Sequence, residues 1–216
     1  DGTFHDVLNG ADLARTAIGF IPNGRGNDFA FGTPLKSDPF EALEAVLAGR
    51  EKTIDYIDVS GIRCLNVAGT GLDVAVLKRV YDGQAHTYFG SLVYNIKHFT
   101  PYRVKVHSDD GQFEGDCVMV GVCNGTQIGG GIRISPLSKI DDGKLNIVIM
   151  TMPEKRLMRS LLTFKKGKHM DMPYTRHFLT DRVEVDAPAL PIQLDGEIYD
   201  VPLHCSVVKN GLRTFY

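Results

Sequence analysis

Three short stretches carry residues whose types suit phosphate chemistry. The chain starts with D-G-T (residues 1–3), which places a carboxylate beside a glycine and a hydroxyl, a combination used to bind phosphate and metal ions. In N-G-R-G-N-D (residues 23–28), two glycines let the backbone approach an anion closely, and a guanidinium stands between them. In L-D-G-E (residues 194–197), a carboxylate is placed where it could accept a proton.

Each stretch also has a purely structural interpretation. Asp1 could be a solvated terminal residue, because chain ends are usually poorly ordered. Gly24 and Gly26 could form a simple turn before a helix, and Asp195-Gly196 is a common hairpin pair. Taken singly, none of the stretches identifies a site.

The elements around the glycine-rich stretch follow an α/β pattern. Residues 15–22 form an apolar run stopped by a proline, which predicts a buried strand. After the turn, Asp38 is a suitable N-cap, Pro39 suits the first helical position, and Glu41 completes a capping box. The predicted apolar stripe of this helix is Phe40, Leu43, Val46 and Leu47. Strand, glycine turn and helix in this order indicate an α/β unit.

The pattern changes to short strands after residue 50. Alternating stretches surround Ser60-Gly61 and Asp110-Gly111, as in hairpins, and helical patterns interrupt at 72–81, 90–99 and 154–166. We therefore predict an α/β plus β-rich fold. Residues 1–52 would be the C-terminal part of an α/β nucleotide-binding domain, and residues 53–216 a β-sandwich-like domain with a few helices.

Composition excludes several functional classes. The 216 residues are 43% hydrophobic with a formal net charge of −2, which fits a globular protein and argues against a general nucleic-acid binder. No apolar run approaches the roughly 20 residues of a transmembrane segment. The four cysteines form no C-x-x-C pair and are predicted to be buried, reduced thiols.

Two of the stretches together resemble a known family. D-G-T followed by G-R-G-N-D-F-A resembles the catalytic domain of the diacylglycerol kinase superfamily, which includes bacterial lipid kinases and sphingosine kinases. The matching positions are Asp1, Gly2, Thr3, Gly24, Gly26, Asn27, Asp28, Phe29 and Ala30. Arg25 replaces the family's usual threonine, and the two glycines that precede its D-G-T are absent. The resemblance implies an N-terminally truncated member, which we expect to be inactive or nearly inactive alone.

The resemblance extends along the rest of the chain in order. C-L-N-V-A-G-T-G-L-D-V-A-V (64–76) and F-G-S-L-V-Y-N-I-K-H-F (89–99) are similar to family segments. I-S-P-L-S-K-I-D-D-G-K-L (134–145) and L-D-G-E are similar to two more. The family activity that this implies is transfer of the ATP γ-phosphoryl group to a lipid hydroxyl.

The resemblance also implies roles for individual residues. Asp1 would lie beside the ATP phosphates and their Mg²⁺, and Glu197 would be the general base. The implied nucleotide-binding residues are Asp1, Gly2, Thr3, Gly24, Arg25, Gly26, Asn27 and Asp28. Asp28, Asp55 and Lys97 would form a charge cluster between the two domains.

A second ion site is implied in the S-K-I-D-D-G-K-L segment. The Asp142 side chain and the backbone carbonyls of Lys139 and Lys144 would hold Mg²⁺ or Ca²⁺. The alternative is an ordinary Asp-Asp-Gly turn, since turns and metal loops use the same residues.

The expected partners follow from the same resemblance. A lipid kinase would be cytoplasmic and peripherally membrane-associated, and a homodimer is compatible with it. The basic residues of 154–168 suit an anionic lipid surface, or a solvated helix face. Two other functions stay open: a kinase acting on NAD or another small molecule, and a non-catalytic lipid-binding or regulatory protein.

Overall fold

The computed structural model describes residues 2–151, 163, 166–187 and 191–216. The helices among them are α1 (Gly2–Gly10), α2 (Asp28–Phe31), α3 (Pro39–Leu47), α4 (Leu72–Tyr81), α5 (Tyr88–His98) and a 3₁₀ turn (Lys168–Asp171). The strands are β1 (Ala17–Ile18), β2 (Glu51–Val59), β3 (Ile62–Cys64), β4 (Val67–Gly71), β5 (Tyr102–His107), β6 (Gln112–Cys117), β7 (Met119–Cys123), β8 (Leu145–Met150), β9 (Thr175–Thr180), β10 (Arg182–Asp186), β11 (Ile192–Leu194), β12 (Glu197–Tyr199) and β13 (Leu203–Phe215). None of these helices has the length and apolar character needed to cross a membrane.

The described strands form two sheets that pack face to face. The first has the order β3-β2-β13-β10-β5-β6, and the second has the order β12-β11-β4-β7-β8-β9. Between them lies the main core, to which both sheets contribute branched side chains such as Ile57, Val183, Ile147 and Leu194. Antiparallel pairing runs through both sheets, except that the short β1 joins β13 in parallel.

The central strands of the second sheet, β11, β4, β7 and β8, are buried on both faces. In β8, Leu145, Ile147 and Ile149 face the first sheet, whereas Val148 and Met150 belong to a second cluster under α4 and α5. This explains why β7 and β8, apart from Asn146, are apolar without alternation. The sheet therefore provides a rigid support from which α4 and the turn before β12 project.

The first 50 residues pack against strands β2 and β13 of the first sheet. Leu8, Ile18 and Phe29 of these residues share a cluster with Ile54 of β2 and Leu212 of β13. Because this cluster joins α1, β1 and α2 to β2 and β13, the glycine-rich stretch is held against the sandwich.

The structure confirms most of the predicted elements and corrects two. The hairpins at Ser60-Gly61 and Asp110-Gly111 are present as β2-β3 and β5-β6, the predicted helix at 72–81 is α4, and the four cysteines are free and buried. The strand predicted at 15–22 is reduced to β1, which has two residues. Overall, the predicted fold class, α/β with a β-rich sandwich, is confirmed.

The apolar stripe predicted for α3 is wrong. Asp38 does cap the helix by accepting hydrogen bonds from the Phe40 and Glu41 N–H groups. However, Phe40 and Leu47 are each 78% exposed, and the helix buries Ala42 and Ala45 instead. Of the predicted stripe, Val46 alone is partly buried, and it packs against Gly19, where a Cβ atom would lie 2.8 Å from its side chain.

Candidate active site

A cleft with a volume of about 600 Å³ lies where α1, the glycine-rich stretch, α4 and the turn before β12 meet. Its lining includes Arg25, Gly26 and Asp28 from the glycine-rich stretch and Asp195 and Gly196 from the turn. The two stretches are about 170 residues apart in the sequence, and the fold brings them to one cavity. The cleft is thus the place where the predicted site residues can act together.

The glycine-rich stretch is held in a fixed shape by Asn27. This residue has a positive φ of 49°, and its side chain bonds to both backbone groups of Gly24: Oδ1 accepts from the N–H at 2.7 Å, and Nδ2 donates to the carbonyl at 3.0 Å. The intervening Arg25 is exposed, and no ion pair to another described residue engages it. A preformed loop with an available guanidinium is suited to binding an anion such as a phosphate.

Asp28 connects this loop to a second glycine-rich segment. Its carboxylate accepts hydrogen bonds from the Gly130 and Gly131 N–H groups, at 2.9 and 2.8 Å. Burial raises the pKa of Asp28, and these two hydrogen bonds offset that effect only in part. The carboxylate therefore holds residues 128–131 in place beside the cleft. Both of its oxygens already accept hydrogen bonds from backbone N–H groups.

The start of α1 touches Glu197. A Cβ atom placed on Gly2 would lie 2.9 Å from Glu197 Oε1, so the absence of a side chain at residue 2 makes room for this carboxylate. Gly2 and Glu197 belong to the D-G-T and D-G-E stretches, which therefore meet at the rim of the cleft. The N-terminus of a helix also stabilises a nearby negative charge.

Asp195 holds the D-G-E turn against the sheet. It adopts a positive φ of 53°, and its two carboxylate oxygens accept 2.8 Å hydrogen bonds from the Leu65 and Asn66 N–H groups. A further bond joins the other face of the turn, where the Tyr81 hydroxyl donates to the Gly196 carbonyl at 2.7 Å. The turn that carries Glu197 is thereby rigid, because it is bonded to both β3-β4 and α4.

Sequence reasoning missed His5, which lies beneath Glu197. His5 is 2% exposed, and its ring nitrogens contact the Tyr199 hydroxyl at 2.7 Å and Asp195 at 3.3 Å. Burial lowers the pKa of His5, but the hydrogen bond and the charge of Asp195, with the charge of Glu197, outweigh burial and raise it overall. The available signal was a histidine one turn into the helix that follows D-G-T.

Sequence reasoning also assigned no role to Asp73, in the first turn of α4. This carboxylate lines the cleft and is almost fully buried, and burial raises its pKa to about 6. A charged residue inside the otherwise apolar V-A-G-T-G-L-D-V-A-V was the signal that could have identified it.

Two family models match the chain in succession. The diacylglycerol kinase catalytic domain matches residues 1–59, and the YegS C-terminal NAD kinase beta sandwich-like domain matches residues 66–216. The chain belongs to the family of YegS-like and diacylglycerol-kinase-like lipid kinases.

Individual relatives agree with this membership. The protein named "Probable lipid kinase YegS-like" of Chromohalobacter salexigens is 30% identical, over 91% of this chain and 67% of its own length. The "Diacylglycerol kinase" of Bacillus subtilis is 29% identical, over 91% of this chain and 68% of its own length. The chain thus spans about two thirds of the length of these relatives. A solved diacylglycerol kinase structure from Bacillus anthracis shares the fold, with a TM-score of 0.74 at 20% identity, over all of this chain and 73% of the other.

The charge cluster predicted from Asp28, Asp55 and Lys97 is not formed among the described residues. Asp55 is buried and accepts 2.7 Å hydrogen bonds from the Gly143 and Asn210 N–H groups. Lys97 lies exposed near the end of α5 and makes no ion pair with a described residue. Backbone N–H groups donate to both aspartates in this structure, and a charge cluster that includes Lys97 stays a prediction.

The predicted ion loop has the form of a turn. The Asp142 carboxylate accepts a 3.0 Å hydrogen bond from the Lys144 N–H, and neighbouring Asp141 pairs with Lys52 at 2.8 Å. Within the described residues, no three His, Cys, Asp or Glu side chains cluster as metal ligands would. Binding of an ion by Lys139, Asp142 and Lys144 stays a prediction.

Two sequence predictions fall on residues that the structure does not describe. Asp1 is one of them, so its place beside the phosphates stays a prediction. Most of the basic segment 154–168 also lies outside the described residues.

Proposed function

We propose that the protein transfers the γ-phosphoryl group of ATP to a lipid hydroxyl within the cleft. The observation that carries the proposal is the contact between Gly2 and Glu197, which places the D-G-T helix and the D-G-E turn side by side. The exposed Arg25 lines the cleft, and so do Asp195 and Gly196, which directly precede Glu197 in the D-G-E turn, so an anion-binding group and the proposed base lie close to one cavity. Membership of the lipid kinase family supports this assignment.

The residues of the cleft divide the work of phosphoryl transfer. The Arg25 guanidinium, on the loop that Gly24 and Gly26 shape, would hold the ATP phosphates together with Gly2-Thr3. Asn27 and Asp28 would keep this loop in place through the hydrogen bonds described above. Glu197 would accept the proton of the lipid hydroxyl. At the same time the lipid oxygen bonds to the γ-phosphorus, and the bond between this phosphorus and the ADP oxygen breaks.

The protein side of the cleft is compatible with Mg²⁺ as the partner of ATP. When bound, Mg²⁺ would neutralise charge on the phosphate oxygens. The described residues offer no cluster of carboxylates for it. This suits an ion that is commonly held by one or two carboxylates, several waters and the substrate phosphates. Asp1 is the proposed carboxylate.

The wider predictions belong to the same proposal. We place the α/β nucleotide-binding part at residues 1–52 and the sandwich domain at 53–216, with the cleft between them. Because the acceptor is a lipid, the enzyme would work at the membrane surface from the cytoplasm.

Substitution of the proposed base tests the reaction. Glu197→Gln keeps the shape of the side chain but cannot take a proton, so we expect transfer to fall about 10²- to 10⁴-fold. Labelled ATP would be offered with diacylglycerol, a sphingoid base, ceramide, phosphatidylglycerol and NAD, using this chain and the gene product that contains it. Glu184→Gln, an exposed change on β10, is the matched control.

The panel separates the proposal from its alternatives. Transfer that is unaffected by Glu197→Gln would contradict the assigned base. Transfer to NAD alone would instead indicate a small-molecule kinase, and lipid binding without transfer in the intact gene product would indicate a regulatory protein.

A further inference from the structure

Asp73 is a buried carboxylate without a described partner. It is 3% exposed, and neither of its oxygens has a hydrogen-bond partner among the residues that the structure describes. The Val74 N–H and the Gln193 amide lie close enough to favour the ionised form, but neither makes a well-directed hydrogen bond. A buried carboxylate left in this state is strongly unfavourable, so it usually has a functional reason.

The surroundings of Asp73 cannot easily supply the missing donor. Gln193 is oriented by other partners: one N–H of its Nε2 donates to the Val67 carbonyl at 3.2 Å, and its Oε1 accepts from the Gly196 N–H at 2.9 Å, so its second N–H lies near Asp73 without a well-directed bond. On the other side, a Cβ atom on Gly69 would lie 2.5 Å from Asp73 Oδ2, so the carboxylate is packed against bare β4 backbone. Within the described residues, no lysine, arginine or histidine forms an ion pair with it.

Asp73 stands at the junction of two cavities. One is the 600 Å³ cleft of the proposed reaction, and the other is an apolar cavity of about 50 Å³ between α4, α5 and the second sheet. Both are lined by Asp73, Tyr88 and Ile128. The remaining lining of the smaller cavity is apolar: Leu72, Leu92, Ile96, Met119, Ile132, Ile134 and Met150. A ligand lying along the cleft would therefore meet a carboxylate with hydrocarbon side chains directly behind it.

We propose that Asp73 determines acceptor specificity by accepting a hydrogen bond from a second donor of the lipid, next to the hydroxyl that receives the phosphate. The donor is an O–H or N–H⁺ group, and adjoining methylene groups would enter the apolar cavity. This rests on the proposed function, because it assumes that the acceptor lipid occupies the cleft. It favours acceptors with two free donors, such as a monoacylglycerol or a sphingoid base, over diacylglycerol, whose second oxygen is esterified.

A ligand can supply the well-directed donor that the described residues do not give Asp73. A hydrogen bond to a charged group contributes more than one between neutral groups, and an acceptor left unpaired in a buried site is penalised. Discrimination of this kind is large when a buried polar group of the site would otherwise stay unpaired. An acceptor lipid without the second donor would leave the Asp73 carboxylate without a hydrogen bond and would also remove its remaining exposure to water.

Binding of matched lipids to this chain tests the inference. The probes are 1-octanoylglycerol, its 2-O-methyl ether and the corresponding 2-amino compound, each kept below its micelle concentration. Isothermal titration calorimetry gives affinities that do not depend on catalysis. We expect the wild type to prefer 1-octanoylglycerol or the amine over the ether by about tenfold or more. If the 2-amino compound binds more tightly than 1-octanoylglycerol, the donor is identified as an ammonium group. If the two compounds bind with similar affinity, the donor is identified as a hydroxyl group.

Two variants decide whether Asp73 is responsible. Asp73→Asn preserves shape and Asp73→Ala removes the group, and in both the preference should shrink to about threefold or less. Asp82→Asn, an exposed change at the other end of α4, should keep the full preference. The inference about Asp73 would be overturned, without affecting the proposed function, by either of two results. One is a preference that survives in both Asp73 variants, and the other is equal binding of 1-octanoylglycerol and its 2-O-methyl ether by the wild type. Absence of binding of every lipid would overturn the proposed function with it.

Discussion

At the scale of single residues, the site depends on how each carboxylate is satisfied. Asp28 and Asp195 each accept hydrogen bonds from two backbone N–H groups, so each holds a loop in place. Glu197 contacts the start of α1, and Asp73 has no described hydrogen-bond partner. Four carboxylates near one cleft thus have different chemical environments, although the sequence presents them as similar aspartates and a glutamate.

The burial of Asp73 makes stability depend on pH in a direction that can be measured. Burial raises its pKa from 3.8 to about 6, so between these values the folded protein binds more protons than the unfolded chain. The wild type should therefore lose stability as pH rises from about 4 to 7, by up to about 3 kcal/mol from this residue. Asp73→Asn removes that loss, and its advantage over the wild type should grow across the same interval.

Urea unfolding at several pH values checks this expectation. Other groups titrate equally in both proteins, so the difference between them reports Asp73. Asp82→Asn, which changes an exposed carboxylate at the other end of the same helix, is the matched control. A pH-independent difference for Asp73→Asn would show that the carboxylate is ionised without penalty.

At the scale of elements, the position of α1 decides where Glu197 lies. Gly2→Ala would place a methyl group 2.9 Å from Glu197 Oε1, the mobile end of a long side chain. The carboxylate can move aside at little cost in stability, but its displacement should reduce phosphoryl transfer by up to about 10²-fold. Initial rates and thermal unfolding would be measured on the same preparations.

The opposite end of α1 provides the control for this change. A Cβ atom on Gly10 meets no atom within 4 Å, so Gly10→Ala should leave the rate unchanged. Equal rates for Gly2→Ala and Gly10→Ala would argue that the D-G-T helix does not position the base.

At the scale of the whole molecule, Asp55 connects distant parts of the sandwich. From β2 it bonds to Gly143, ahead of β8, and to Asn210, at the irregularity of β13. Asp55→Asn would set an amide N–H₂ against one of these N–H groups. We therefore expect a loss of about 1.5–3 kcal/mol in the free energy of unfolding.

Lys97→Met distinguishes this role from a charge cluster. If Asp55 is held by backbone donors, removal of the exposed Lys97 should change stability by no more than about 0.5 kcal/mol. Equal destabilisation by both substitutions in denaturant unfolding would instead support an interaction between Asp55 and Lys97.

Local sequence signals determined much of this protein. The hairpins at Ser60-Gly61 and Asp110-Gly111, the cap at Asp38 and the helix at 72–81 follow from turn residues, capping and periodicity, which act over a few neighbouring residues. Ordered motifs likewise identified the family before any contact was known. The stripe predicted for α3 failed because burial depends on what lies opposite a helix, and here the fully buried side is that of Ala42 and Ala45.

Tertiary structure alone decided how the chemical groups are used. The sequence places Gly2 and Glu197 near opposite ends of the chain, and only the packing of α1 on the sandwich brings them together. Sequence likewise cannot distinguish Asp55, which is bonded to two amides, from Asp73, which has no described partner. The physical reason is that desolvation and hydrogen-bond geometry are set by residues far away along the chain, whereas propensity and capping are set by near neighbours.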